Sequence, residues 1–153
     1  MNRIQTIILT AAASALSIAS PAIWAHSDAL PDAQTAHHGG QVRMAAVNYF
    51  ELVVAKDSKD AKDNPVIVYV TDRAGMKVST AGASGTATIV SGTTKVTAPL
   101  VADGDNRLKG TANYASTPSM KVVVSIALSG KASGQARFTP LAIEKDENAG
   151  HKH

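Results

Sequence analysis

From Tyr49 onward the sequence alternates short apolar runs with clusters of Gly, Asp, Asn and Ser. The run Tyr49-Phe50-Glu51-Leu52-Val53-Val54 predicts a strand within residues 42–55, either continuous or broken near Asn48. Polar residues 56–64 then turn the chain, and Pro65 suits a position just before or at the start of the next strand, 66–71, where a missing N–H is tolerated. Asp72-Arg73-Ala74-Gly75 supplies a hairpin connection into a strand over 76–80. Further strands are expected at 86–90, 95–100, 107–112, 120–128 and 135–139, separated by turn signals at 82–85, Gly92, 103–106 and 130–134. No segment carries a sustained helical repeat with caps. About seven or eight short strands in roughly 100 residues, without helical crossovers, predict an all-β fold: an antiparallel two-sheet sandwich.

The alternation nominates an interior of Val53, Val66, Val68, Val70, Val78, Ile89, Leu100, Leu108, Val122, Val124, Ile126, Leu128 and Phe138. Only 4% of the chain is aromatic, so this core must be tiled by β-branched side chains, whose stiff rotamers suit a pleated surface.

The ends follow a different pattern. Asn2 and Arg3 precede an uncharged apolar run from Ile7 to Ala19, and Pro21 leads to a small-residue exit at Ile23-Trp24-Ala25. Residues 1–25 therefore read as a cleaved export signal, with the cut after Ala25 favoured over one after Ala22; the apolar run is short for a membrane span. Cleavage removes the sole Trp and leaves a 128-residue chain, His26–His153. Without a lipidation Cys or a second long apolar stretch, the mature protein is expected in the periplasm, with no stable membrane insertion. Residues 26–40 are small and polar and read as a flexible arm, 41–143 as the β-domain, and 144–153 as a disordered tail. All 5 His fall in the two flexible termini.

Charge excludes one class of partner. Lys and Arg total 15 against 12 Asp and Glu, an excess too small and too dispersed for nucleic acid. Catalytic patterns are also missing: there is no Cys, no Gly-x-Ser-x-Gly elbow and no His within 41–143, so the chain is not read as an enzyme.

His and Met suggest metal chemistry instead. Imidazole binds copper, zinc or nickel, and thioether sulfur selects Cu(I), so a site built from His26, His37, His38, Met44, Met76 and Met120 would favour copper. A cut after Ala25 would give His26 a free α-amine beside its imidazole, a chelate for Cu(II), with Asp28 nearby. In His37-His38-Gly39-Gly40 the glycines would let adjacent imidazoles curl toward an ion; the plainer reading is two exposed histidines before a flexible joint. The methionines also read as ordinary gap fillers. His151 and His153 form a weak i, i+2 pair, and Asp57, Asp60 and Asp63 alternate with Lys without the order of a calcium loop.

His38-Gly39-Gly40-x-Val42, Tyr49-Phe50-Glu51-Leu52-Val53, Val68-Tyr69-Val70-x-Asp72-x-x-Gly75 and Gly82-Ala83-x-Gly85-Thr86-Ala87 together resemble small periplasmic proteins associated with bacterial heavy-metal efflux and copper resistance. The pattern is also similar to the N-terminal module of some metal-efflux adaptor subunits, and it spans roughly residues 38–140. The resemblance implies an immunoglobulin-like sandwich working near metal export, although the chain lacks the coiled hairpin and membrane-proximal domains of an adaptor. Two functions remain open: a periplasmic metal-binding or carrier protein linked to heavy-metal resistance, or a metal-independent interaction module that docks on an envelope or efflux protein through a strand edge.

Overall fold

A computed structural model describes residues 35–143, which contain eight strands. They are β1 (Gln41–Ala45), β2 (Asn48–Val54), β3 (Lys62–Thr71), β4 (Ser84–Ser91), β5 (Thr94–Ala102), β6 (Arg107–Tyr114), β7 (Lys121–Ala127) and β8 (Gly134–Phe138). All pair antiparallel in the order β1-β2-β3-β6-β5-β4-β7-β8. Strands β4 to β7 make a Greek key, since β7 returns to lie beside β4. Among the described residues no helix is long and apolar enough to cross a membrane.

The all-β expectation holds, but the two-sheet immunoglobulin-like sandwich does not. The strands form one sheet rolled into a nearly closed barrel. The junction between its halves is the short β5–β6 ladder, Val101 opposite Lys109 and Ala102 opposite Leu108. On the other side β1 meets β8 without a ladder, and the Gln41 side chain accepts a hydrogen bond from the Thr139 amide at 2.8 Å. Both junctions require small residues. A Cβ on Gly110 would fall 2.4 Å from the Pro99 carbonyl oxygen, and one on Gly134 would press on Phe50 and Ala45 at 3.1–3.3 Å.

Register explains the filling of the interior. Phe50 lies opposite Val70, Leu52 opposite Val68 and Val54 opposite Val66, all buried. The row Leu100–Gly85–Ile126–Gly134 alternates large and small across β5, β4, β7 and β8, which lets the wall curve while the lumen stays filled. Eleven of the thirteen expected core residues are buried; Val53 is on the outer face and Val78 only packs against the core from a loop. In β2 the inward positions are Phe50, Leu52 and Val54, one residue out of phase with the expected Val53. Tyr114, Met120 and several alanines complete the core.

Two local expectations are also corrected. Residues 76–80 are not a strand: only one bridge, Thr71 to Lys77, joins them to β3. Asp72 instead closes a turn, its Oδ1 accepting from the Ala74 and Met76 amides, and Thr80 is drawn away to the 103–107 turn, where its amide donates to the Asp105 carbonyl at 3.0 Å. Pro65 lies inside β3, three residues after its start. Its place in the ladder is served by Tyr114, whose hydroxyl accepts from the Ala55 amide at 3.0 Å and donates to the Pro65 carbonyl at 2.7 Å. Replacing Tyr114 by Phe strands both backbone groups and should lower the unfolding free energy by about 2 kcal/mol in urea titrations, with the fold retained.

Candidate functional site

Strand β2 alternates inward apolar side chains with outward ones, which places Glu51 on the outer wall between Tyr49 and Val53. An exposed carboxylate would be unremarked there, yet Glu51 is only 7% exposed. The chain entering β1 folds over it. Oε1 accepts from the His38 amide at 2.7 Å and the Gly40 amide at 3.1 Å, and Oε2 accepts from the His37 amide at 3.2 Å and meets His38 Nδ1 at 2.9 Å. This curl depends on the two glycines. Gly39 has φ +72°, and a Cβ on Gly40 would stand 2.3 Å from the Leu52 carbonyl oxygen.

Electrostatics fixes the protonation pattern. Burial alone would raise the Glu51 carboxyl, but the hydrogen bonds from the His38 ring and from the Gly40 and His38 amides outweigh it and hold the group below its ordinary value of 4.5. Glu51 is therefore ionised at neutral pH, and His38 Nδ1 must be the donor of their 2.9 Å contact. Four donors occupy the lone-pair directions of one carboxylate, so Glu51 has no capacity left to serve as a base or a metal ligand.

The array continues across the wall. The His38 ring stacks on Tyr69, with centroids 3.5 Å apart and planes 2° from parallel, and Tyr69 is the register partner of both Glu51 and Arg107. The hydrogen bond that Arg107 gives to the Tyr69 oxygen and then the charge of Asp103 raise the Arg107 pKa further, keeping the guanidinium charged. Arg107 also holds Asp103 through Nη2 to Oδ2 and Nε to the backbone oxygen, each at 2.8 Å. A hydrogen-bonded and stacked row thus runs from His38 over Glu51, Tyr69 and Arg107 to Asp103.

The expected metal residues occupy different places. His37 and His38 are adjacent, but His38 has committed Nδ1 to Glu51 and His37 contributes only its amide to the clamp. Met44 faces outward from β1 opposite Tyr49, Met76 stands 65% exposed in the turn after β3, and Met120 is sealed in the core. His26, His151 and His153 lie outside the described residues. Among the described residues no group of three His, Cys, Asp or Glu side chains is placed to hold a metal ion, which leaves the metal and copper reading without structural support.

Glu51, Tyr69 and Arg107 lie outside the candidate site residues that the sequence nominates. The available signal was a lone acid inside the apolar run Tyr49–Val54, eleven residues after Gly40. No family model, curated protein or solved structure matches the chain.

The clamp makes stability depend on pH in a defined direction. Because the folded-state pKa of Glu51 is depressed, its contribution is full above about 4.5 and is lost as pH falls through the folded value. Glu51→Gln should cost about 1–3 kcal/mol at neutral pH and flatten this part of the acid limb, measured by urea denaturation from neutral pH to pH 3. Gly40→Ala should destabilise the clamp similarly while leaving the charge unchanged. Amide hydrogen exchange at His38 and Gly40 would report its opening directly.

Proposed function

We propose that this chain is an exported, non-catalytic recognition module that binds a folded envelope protein through the outer face of β1, β2, β3 and β6. The observation carrying this reading is the asymmetry of the barrel's outer surface. On this face Tyr49, Tyr69, Val53, Ile67 and Val101 stand in adjacent register rows around the His38 stack and Arg107, with Lys109 between Ile67 and Val101. The opposite wall presents Thr86, Thr88, Thr97, Lys95, Lys121 and Ser125 around Val90 and Val123, and carries no aromatic side chain among the described residues. Aromatic residues and Arg are enriched where proteins meet, and rigid aromatic anchors lose little entropy on binding.

The clamp supports this use by holding His38, Tyr69 and Arg107 in place before a partner arrives. Lys109 and Arg107 favour a partner whose apolar contact area is rimmed by carboxylates. The barrel's free edges offer a weaker route, because β1 and β8 already cover each other. Export is supported by the pattern of residues 1–25.

Site-specific photocrosslinking in the native envelope tests the proposal. A crosslinker at Val101 or Ile67 should capture one defined protein, and Tyr69→Ala or Val101→Glu should reduce capture at least about tenfold, the effect expected of a hot-spot residue. Probes at Thr88 or Thr97 should give none. Equal capture from both walls would refute the assignment. Stoichiometric copper or zinc uptake lost in the His37→Ala, His38→Ala double variant, with no protein captured, would replace it by metal carriage.

A further inference from the structure

Charge divides the barrel as aromatic residues do. Within residues 35–143 the carboxylates are Glu51, Asp57, Asp60, Asp63, Asp72, Asp103 and Asp105, all on β2, β3 or the turns that follow β2, β3 and β5. The stretches 73–102 and 106–143 contain no acidic residue. The strands β5, β4, β7 and β8 therefore form a wall whose only charges are positive.

Register shows how those charges are presented. Lys95, Val90 and Lys121 form one row across β5, β4 and β7, and the next row is Thr97, Thr88, Val123 and Arg137. Lys95, Lys121 and Arg137 are exposed, and none of them forms an ion pair among the described residues. Arg107 on the other face is, by contrast, held by Asp103. Adjacent strands lie about 4.8 Å apart, so Lys95 and Lys121 are rooted about 10 Å from each other with Val90 between them. Lys131, in the β7–β8 loop, adds charge of the same sign.

We infer that this wall rests on an anionic phospholipid surface, with Lys95, Lys121 and Arg137 directed to its phosphates. The arrangement selects the class of partner. A single small anion is held where donors converge on one point, and here the cations form a spread row interrupted by Val90. A folded protein is held by aromatic or large buried anchors, and this wall carries no aromatic side chain among the described residues. A charged bilayer needs neither, because it is read as a charge density to which each basic side chain contributes. The Thr86, Thr97 and Ser125 hydroxyls on the same wall suit head-group oxygens. Clusters of about four to eight basic residues mark recognition of charged lipid, so this wall is at the small end and its contact is reversible and salt-sensitive. The inference does not depend on the face of β1, β2, β3 and β6 having a partner; a chain seated in this way would turn that face away from the lipid.

Cosedimentation of the mature chain with vesicles tests the inference. Binding is expected to phosphatidylcholine vesicles containing phosphatidylglycerol, not to phosphatidylcholine alone, and should vanish between about 0.05 and 0.5 M salt. Each lysine removed from the wall should weaken binding about fivefold, so Lys95→Ala with Lys121→Ala should weaken it about twentyfold. Lys59→Ala with Lys62→Ala removes the same charge from the loop before β3 and should change binding by less than about twofold. In the unaltered chain, amide signals of Thr88, Thr97, Val123 and Arg137 should fade on vesicle addition before those of Tyr49 and Ile67. Equal losses from the two double variants would reduce the effect to net charge and overturn the assignment, as would binding to phosphatidylcholine alone, no binding at low salt, or displacement by soluble glycerol phosphate. Amide shifts at Lys121 and Arg137 on changing Glu144→Gln, Asp146→Asn and Glu147→Gln without vesicles would make the chain's own acidic tail the occupant and overturn it too.

Discussion

Close approach of strands at two junctions is the constraint on which this barrel depends. A wall with few aromatic residues encloses a narrow lumen, and a narrow lumen demands sharp curvature where its two halves join. Gly110 against the Pro99 carbonyl permits it on one side, and Gly134 against Ala45 and Phe50 permits it on the other. Side chains at these points would push the halves apart. The interior rows follow from the same requirement: large Leu100 and Ile126 are spaced by Gly85 and Gly134, so the wall bends without leaving the centre empty. The burial of Val66, Val68, Leu108 and Val124 then contributes on the order of 1.5–3 kcal/mol for each side chain, against the ordering cost of the chain.

The two junctions differ in kind, and the surface features follow from that difference. At β5–β6 the backbone ladder is continuous for two residue pairs, which keeps Val101 and Lys109 in register with Ile67 and extends one outer face over four strands and onto β5. At β1–β8 there is no ladder, and the two strands are held by packing and by Gln41. A pocket lined by Ala45, Phe50, Ile126 and Leu128 opens at this looser junction.

Strand positions were legible because alternation and turn residues are local. Asp103-Gly104-Asp105-Asn106 and Gly92 mark real turns for that reason. Sandwich and barrel were not distinguishable, since both present the same inward and outward alternation; the difference rests on Val101 and Ala102 meeting Lys109 and Leu108. Residues 76–80 look like a strand until Thr80 finds the 103–107 turn, a partner more than twenty residues away. The site divided similarly. His37, His38 and the two glycines were visible as an unusual group, but the anion they enclose comes from the next strand. An imidazole pair suggested an incoming cation, whereas the backbone amides beside it had already selected a carboxylate.

That choice of donors bears on which positions are free to drift over generations. Three of the four bonds to Glu51 come from main-chain N–H groups, which every residue except proline supplies. His37 therefore has little chemical identity to defend, and nearly any side chain there would leave the clamp intact. Gly40 and Glu51 are bound to each other's fate: a bulkier residue at 40 pushes the amide that Glu51 needs away from it, because its Cβ would meet the Leu52 carbonyl, and loss of the acid removes the reason for the glycine's tight curl. In a lineage carrying this fold, those two positions would be expected to change together or not at all.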